Sequence, residues 1–275
     1  MKQYPAIDVR TDSPDMLLAI VDDFWPTAVE ERDASVRVFF STAGDRDAAQ
    51  CALAPGFAAT AVDVPGEDWA RRSQNNLKPI TVGRITVAPP WAEAISHDPL
   101  AISHQSSAIR IVIAPSMGFG TGHHATTRLC LTALQTIDLT NRVVLDVGTG
   151  SGVLAIAADR LGAARAIGID DDADAIQSAR ENLDLNPEAS RVTFDVIDLS
   201  ARALPLVDVV TANLTGALLV RSAPALLAAV RSGGTLILSG ILSQERDEVR
   251  QAFAEAAAGW EREEDGWVGL AVKKS

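Results

Sequence analysis

The chain has 275 residues, 47% of them hydrophobic and 22% charged, a balance that buries a core, excludes a disordered polypeptide and fits two ordinary domains. A formal net charge of −12 argues against direct binding to bare nucleic acid, whose affinity comes mainly from Lys and Arg displacing counterions; it suits a basic protein or a cationic small molecule, and it also serves solubility. Two separated cysteines, Cys51 and Cys130, exclude a disulfide framework or zinc knuckle, and no apolar leader or membrane-spanning run is seen, so a reducing, cytoplasmic setting without a membrane is expected.

In chain order, Ala6 to Val9, Thr27 to Glu31, Val36 to Phe40 and Ala58 to Val64 alternate as strands. Helices are predicted from Met16 to Phe24, after the capping pair Ser13-Pro14, and from Arg46 to Leu53, after Asp45. The resulting βαββαβ order is ferredoxin-like, so residues 1–66 are expected to form a small α+β domain. Glu67 to Leu77 reads as a connecting helix, and Pro79, Pro89 and Pro90 punctuate a strand-rich linker that ends near residue 105.

Beyond this point strands alternate with helices, the mark of a mostly parallel sheet covered on both faces, and residues 106–275 are expected to form an α/β, Rossmann-like domain. Its strands are predicted at Val143 to Val147, Ala166 to Asp170, Arg191 to Val196, Val207 to Ala212 and Thr235 to Ser239, with a closing pair at Trp260 to Glu264 and Trp267 to Val272. The helices are predicted at Thr126 to Gln135, Gly152 to Leu161, Ala173 to Leu185, Ala217 to Val230 and Gln244 to Ala257.

Three segments carry chemistry. The first runs from Asp146 through Gly148, Gly150 and Gly152 into an alanine-rich helix, a strand, tight turn and helix start that brings backbone N–H groups close to a ligand. Asp170, at the next strand end, suits two hydrogen bonds from a ribose diol. Val153 stands where a dinucleotide fingerprint needs a small residue, and Asp146 suits a cationic amino group better than a pyrophosphate. Together these features favour S-adenosylmethionine over a nicotinamide cofactor.

The second segment is the loop Gly118-Phe119-Gly120-Thr121-Gly122-His123-His124, which opens a helix where the hydroxyl of Thr126 or Thr127 can meet a cofactor carboxylate. Adjacent His123 and His124 alone make a poor chelate, so no metal is expected. The third is Asn213, at the end of a predicted parallel strand, whose amide oxygen can orient an amine or can cap the following helix.

With these segments the chain resembles the PrmA family, bacterial methyltransferases of large-subunit ribosomal protein eleven. The resemblance runs through Phe119 to Thr127, Asp146 to Gly152, Ala212-Asn213-Leu214 and Leu238 to Leu242, with Asp68-Trp69 and Lys78-Pro79 matching the linker. It implies a class I methyltransferase fold, S-adenosylmethionine as cofactor and protein eleven as partner, with the small N-terminal domain recognising that substrate. It selects Thr127 over Thr126 and implies that Thr127, Gly148, Asp170 and Asn213 contact the cofactor, with Asp146, Gly150, Phe119 and Thr121 as further candidates and Asn213 as the catalytic one. Ser73 departs from the family, standing where a second tryptophan is common. Three rival functions are methylation of another protein, such as the electron-transfer flavoprotein β subunit, methylation of a small molecule, and a catalytically silent binding module.

Overall fold

The computed structural model describes residues 3–11, 14–21, 24–32, 35–65, 78–92, 108–114, 123–199 and 204–275. The expected helix at 67–77 and the residues Asp68, Trp69, Ser73, Phe119 and Thr121 lie outside them. Two compact units part between Leu77 and Lys78.

The first unit contains β1 (Gln3–Val9), α1 (Pro14–Val21), β2 (Pro26–Arg32), β3 (Ser35–Phe40), α2 (Ala43–Leu53) and β4 (Ala59–Pro65). Its sheet has the order β2-β3-β1-β4 with every pairing antiparallel, the ferredoxin-like arrangement. Alternation sorts the strand residues, so that Ile7, Val9, Val36, Val38 and Phe40 pack with Leu17, Val21 and Leu53 of the helices. The opposite face carries Ala6, Phe39 and Val64. α2 starts earlier than expected because Thr42, and not Asp45, is its cap: the Thr42 hydroxyl oxygen accepts from the Asp45 N–H at 3.1 Å.

The second unit opens with a three-stranded sheet, β5 (Ile80–Val82), β6 (Ile85–Ala88) and β7 (Ile109–Val112). β5 and β6 form an antiparallel hairpin, whereas β6 and β7 run parallel. Next come α3 (Ala125–Leu134), β8 (Val143–Val147), α4 (Val153–Arg160), β9 (Arg165–Asp170), α5 (Ala173–Asp184), β10 (Val192–Val196), β11 (Val207–Asn213), α6 (Gly216–Ala229), β12 (Val230–Leu242), α7 (Arg246–Ala252), β13 (Ala256–Glu264) and β14 (Trp267–Lys274). The seven-stranded sheet has the order β10-β9-β8-β11-β12-β14-β13. Only β14 runs opposite to the other six strands of this sheet, and the strand order reverses between β8 and β11. At such a switch point the loops leave the carboxyl ends of adjacent strands in opposite directions and open a crevice for a ligand.

Helices cover both faces, and the strand period of two divides the core cleanly. Val144, Val209 and Ile237 join Leu131, Ile156 and Ile176 of α3, α4 and α5. Their sequence neighbours Leu145, Val210 and Leu236 join Leu219, Leu226 and Val249 of α6 and α7. Part of the expected linker belongs to this core, because Ile85 and Val87 are buried in the cluster that contains Leu134 of α3.

The expected helix from Gln244 to Ala257 is cut short. A 3₁₀ turn over Ser243–Glu245 precedes α7, and by Ala256 the chain is already in β13. Alanines 256–258 have high helix propensity, but they sit opposite Lys274, Lys273 and Val272 of β14, where sheet pairing supplies their backbone hydrogen bonds.

A bulge between Leu238 and Ile241 interrupts the pairing of β12 with β14 beside the sheet's carboxyl edge. Gly240 in this bulge has φ +85°, and a Cβ there would lie 2.2 Å from the Leu214 carbonyl oxygen. Gly240→Ala is therefore expected to destabilise the second unit by about 2 kcal/mol or more, from the left-handed backbone and the clash with main chain. Urea unfolding followed by tryptophan fluorescence and circular dichroism checks this, and an unchanged midpoint would show that the bulge yields freely.

Candidate active site

All the described candidate residues of the turn and strand ends collect at the carboxyl edge of the parallel sheet. After β8 the chain turns through Gly148, Gly150 and Gly152, with φ of +68°, +52° and +82°. These left-handed conformations resist any side chain, and a Cβ on Gly152 would also lie 2.7 Å from the Phe194 ring. The Thr149 N–H donates to the Ile169 carbonyl at 2.9 Å, which fastens the turn to β9. α4 follows at once, so the turn lies at the positive end of a helix. Val153, its first residue, is buried in the core with Ile176 and Ala179.

Two acids flank this turn. Asp146 is only 1% exposed, and its two carboxylate oxygens accept from the Thr149 and Thr211 hydroxyls at 2.6 Å each. The carboxylate therefore ties the turn to β11, the strand across the switch point. Burial pushes its carboxyl up to about 6, against the pull of those hydroxyls, and nearby Asp170 adds to the rise. Asp170 is half-buried, and its carboxylate accepts from the Gly150 N–H at 2.9 Å and the Asp172 N–H at 3.1 Å. Its carboxyl is also raised, again chiefly by burial, with these two N–H groups opposing. Such a pair of carboxyls favours a cation between or beside them.

The start of α3 supplies a further wall. His124 occupies the cap position, with its Nδ1 2.8 Å from the Thr126 hydroxyl, while His123 Nε2 meets the Lys78 carbonyl at 2.9 Å. The two imidazoles thus have separate protein partners. Thr126 and Thr127 are both buried, but their hydroxyls differ. Thr126 bonds to His124, whereas Thr127 Oγ1 has no hydrogen-bond partner among the described residues. A buried hydroxyl left unpaired costs about 1–3 kcal/mol, so this atom fits the polar end of a ligand.

Asn213 ends β11, half-buried, opposite Ser239 of β12. It does not cap the next helix, since α6 begins after Thr215 and has no side-chain cap. Among the described residues its amide makes no hydrogen bond, which leaves both amide groups for a ligand. Leu214 is held in place by its N–H, which donates to the Ser239 carbonyl at 3.0 Å.

Asn182 and Asn186 escaped the sequence reading. Asn182 of α5 donates to the Ser151 carbonyl in the glycine turn at 2.9 Å and accepts from the Ala114 N–H at 2.9 Å. Asn186 exchanges two bonds with the Val112 backbone, at 2.8 and 2.7 Å. Both side chains are buried, and together they fasten the turn and the end of β7 to the last turn of α5 and the residue just past its end. The available signal was Asn182 in line with Ile176 and Ala179 on the buried face of α5; Asn186 lies past the helix end and carried none.

Comparisons with known proteins identify the family. The family described as ribosomal protein L11 methyltransferase (PrmA) matches residues 26–275. The chain belongs to the PrmA family. A ribosomal protein L11 methyltransferase from Pelobacter propionicus is 40% identical over 221 residues, covering 77% of this chain and 68% of that one. One from Escherichia coli is 38% identical over 207 residues, covering 75% of this chain and 67% of its own. A crystal structure of a ribosomal protein L11 methylase from Lactobacillus delbrueckii subsp. bulgaricus superposes with a TM-score of 0.63 at 27% identity, covering 72% of this chain and 99% of that one. Among the described residues of this PrmA family member, no helix is long and apolar enough to cross a membrane.

The raised Asp146 carboxyl gives stability a defined pH dependence. Its folded value, about 6, lies above the ordinary aspartate value. Folding therefore takes up a proton between about pH 4 and pH 6; this stabilising contribution is complete below about pH 4 and is lost as pH rises through about 6. In the ligand-free protein, Asp146→Asn is expected to remove about 2 kcal/mol from the fall in unfolding free energy across that range, leaving the smaller share of Asp170. Urea titrations at stepped pH measure this, and equal slopes in the variant and the parent would dismiss Asp146 as the source.

Proposed function

We propose that this PrmA family member is an S-adenosylmethionine-dependent methyltransferase that modifies lysine and N-terminal amines of ribosomal protein L11. The observation that carries this reading is the Asp170 carboxylate fastened to the Gly150 N–H at the switch point, which makes the acid and the glycine turn one surface. S-adenosylmethionine, when bound, supplies an electrophilic methyl group on a cationic sulfonium. Asp170 holds the ribose diol through the lone pairs not taken by Gly150 and Asp172. Gly148 and Gly150 keep the turn open for close approach, and Thr127 donates its unpaired hydroxyl to the carboxylate of the methionyl portion. The family resemblance adds Phe119 and Thr121 as further candidate cofactor contacts. Asp146 acts at one remove, adding negative charge beneath the turn.

Asn213 accepts an N–H of the substrate amine on its amide oxygen and so aligns the nitrogen lone pair for in-line displacement. Catalysis then comes mainly from orientation and exclusion of water. The lysine ammonium, with an ordinary pKa near ~10.4, must first lose a proton, which a desolvated crevice favours. The ferredoxin-like unit recognises the ribosomal protein, and the work is done in the cytoplasm. The net charge of −12 supports a basic protein partner over bare RNA.

Incubation with labelled S-adenosylmethionine and purified ribosomal proteins, followed by mass spectrometry, tests the assignment: label is expected on L11 amines, and its absence from L11 would overturn the substrate. Asn213→Ala is expected to lower kcat about a hundredfold or more at saturating cofactor, because orientation of the amine is lost. Full turnover would remove that role. Thr127→Val is expected to weaken cofactor binding about tenfold without loss of unfolding free energy, since the hydroxyl it removes has no protein partner. Calorimetric titration alongside urea unfolding separates the two effects.

A further inference from the structure

The junction that leads into α3 is fastened from two sides to one distant hairpin. His124 caps the helix through its backbone carbonyl, which accepts from the Thr127 N–H at 3.1 Å and the Arg128 N–H at 3.2 Å, and through Nδ1, which accepts weakly from the Thr126 N–H at 3.4 Å. Its ring stands edge to face on Trp267, with centroids 4.9 Å apart and planes at 69°. One turn further on, Arg128 donates to Glu264 at 2.6 Å, to Asp265 at 2.9 Å and back to the His123 carbonyl. Glu264, Asp265 and Trp267 form the tip that joins β13 to β14.

A helix N-terminus frays unless its first N–H groups are capped, and a hydroxyl in that first turn points reliably only if the turn is held. We propose that the β13–β14 tip is a clasp on the first turn of α3, making His124 and Arg128 positioning residues for the Thr127 hydroxyl; this rests on the assignment of Thr127 to the cofactor. The Nδ1 part of the cap needs an unprotonated nitrogen: a protonated Nδ1 can still donate to the Thr126 hydroxyl at 2.8 Å but repels the Thr126 N–H, which weakens the first turn. The charged groups facing the ring are Arg128 from its own helix and Asp265 from the hairpin tip, with Glu264 paired to Arg128 and His123 next in the chain. Burial holds the His124 imidazole below its ordinary value, with Arg128 lowering it further and Asp265 opposing. The capping form therefore persists through neutral pH, and cofactor affinity falls on the acid side.

The test uses the full chain, with S-adenosylhomocysteine as the calorimetric probe and S-adenosylmethionine for turnover. The double variant Glu264→Gln with Asp265→Asn is expected to raise the Kd for the probe and the KM for S-adenosylmethionine about fivefold, with little change in kcat at saturating cofactor. His124→Ala is expected to weaken the probe to a similar extent and to abolish the acid-side fall in affinity expected of the parent. His124→Asn, which restores a capping oxygen without a titratable ring, is expected to recover most of the affinity and to keep it flat with pH. Unchanged probe affinity in the double variant and in His124→Ala, with only the unfolding midpoint lowered, would reduce the clasp to ordinary packing. Failure of the parent chain to bind the probe would overturn the cofactor assignment itself and this proposal with it, a result separable from altered affinity in the variants.

Discussion

The site depends on a carboxylate that no solvent reaches. Asp146 accepts hydroxyl hydrogen bonds from Thr149 on one side and Thr211 on the other, and so joins the glycine turn to the strand across the switch point. With both oxygens engaged it is satisfied, yet burial still keeps its carboxyl near 6. A cation bound close by would favour the ionised form and recover part of the desolvation cost. A cationic cofactor and a buried acid are therefore electrostatically suited, even where the acid never touches it.

Around that carboxylate the remaining parts are held by backbone bonds more than by side-chain pairs. Thr149 is pinned to β9, Gly150 to Asp170, Leu214 to Ser239, and Ser151 to Asn182. This matters for transfer chemistry that relies on orientation, because a small displacement of the reacting atoms costs rate steeply. Among the described residues the Thr127 hydroxyl and the Asn213 amide have no hydrogen-bond partner, and both belong to elements fixed by other means: a capped helix and a strand paired on both sides. Rigid elements that present uncommitted polar groups are what a preorganised site requires.

Much of this was legible in the chain. The strand that ends at Asp146, the alternating glycines and the acid at Asp170 form a local pattern, because a tight turn between a strand and a helix imposes its residue types within a few positions. The ferredoxin-like order was readable for the same reason, as alternation records which side of a strand is buried. The reading failed where pairing at long range decided the outcome. The alanines at 256–258 look helical, but β14 draws them into the sheet. Residues 80–88 look like a linker, but β6 pairs with β7 from beyond residue 105 and packs on α3. Asn182 looks like an ordinary polar helix residue, and Asn186 like a residue of the following turn, until the backbone of β7 and the glycine turn meet them.

The sequence by itself determined the elements, the cofactor turn and the chemical types available at three strand ends, since these follow from local sterics and periodicity. Only the tertiary structure decided which of two adjacent threonines keeps an unpaired hydroxyl, that Asn213 is not a helix cap, and that Asp146 braces the turn from beneath. It alone joined Arg128 to a hairpin 136 positions away in the chain. Each of these depends on where distant segments converge once the core closes, and hydrogen-bond satisfaction is settled only by those neighbours.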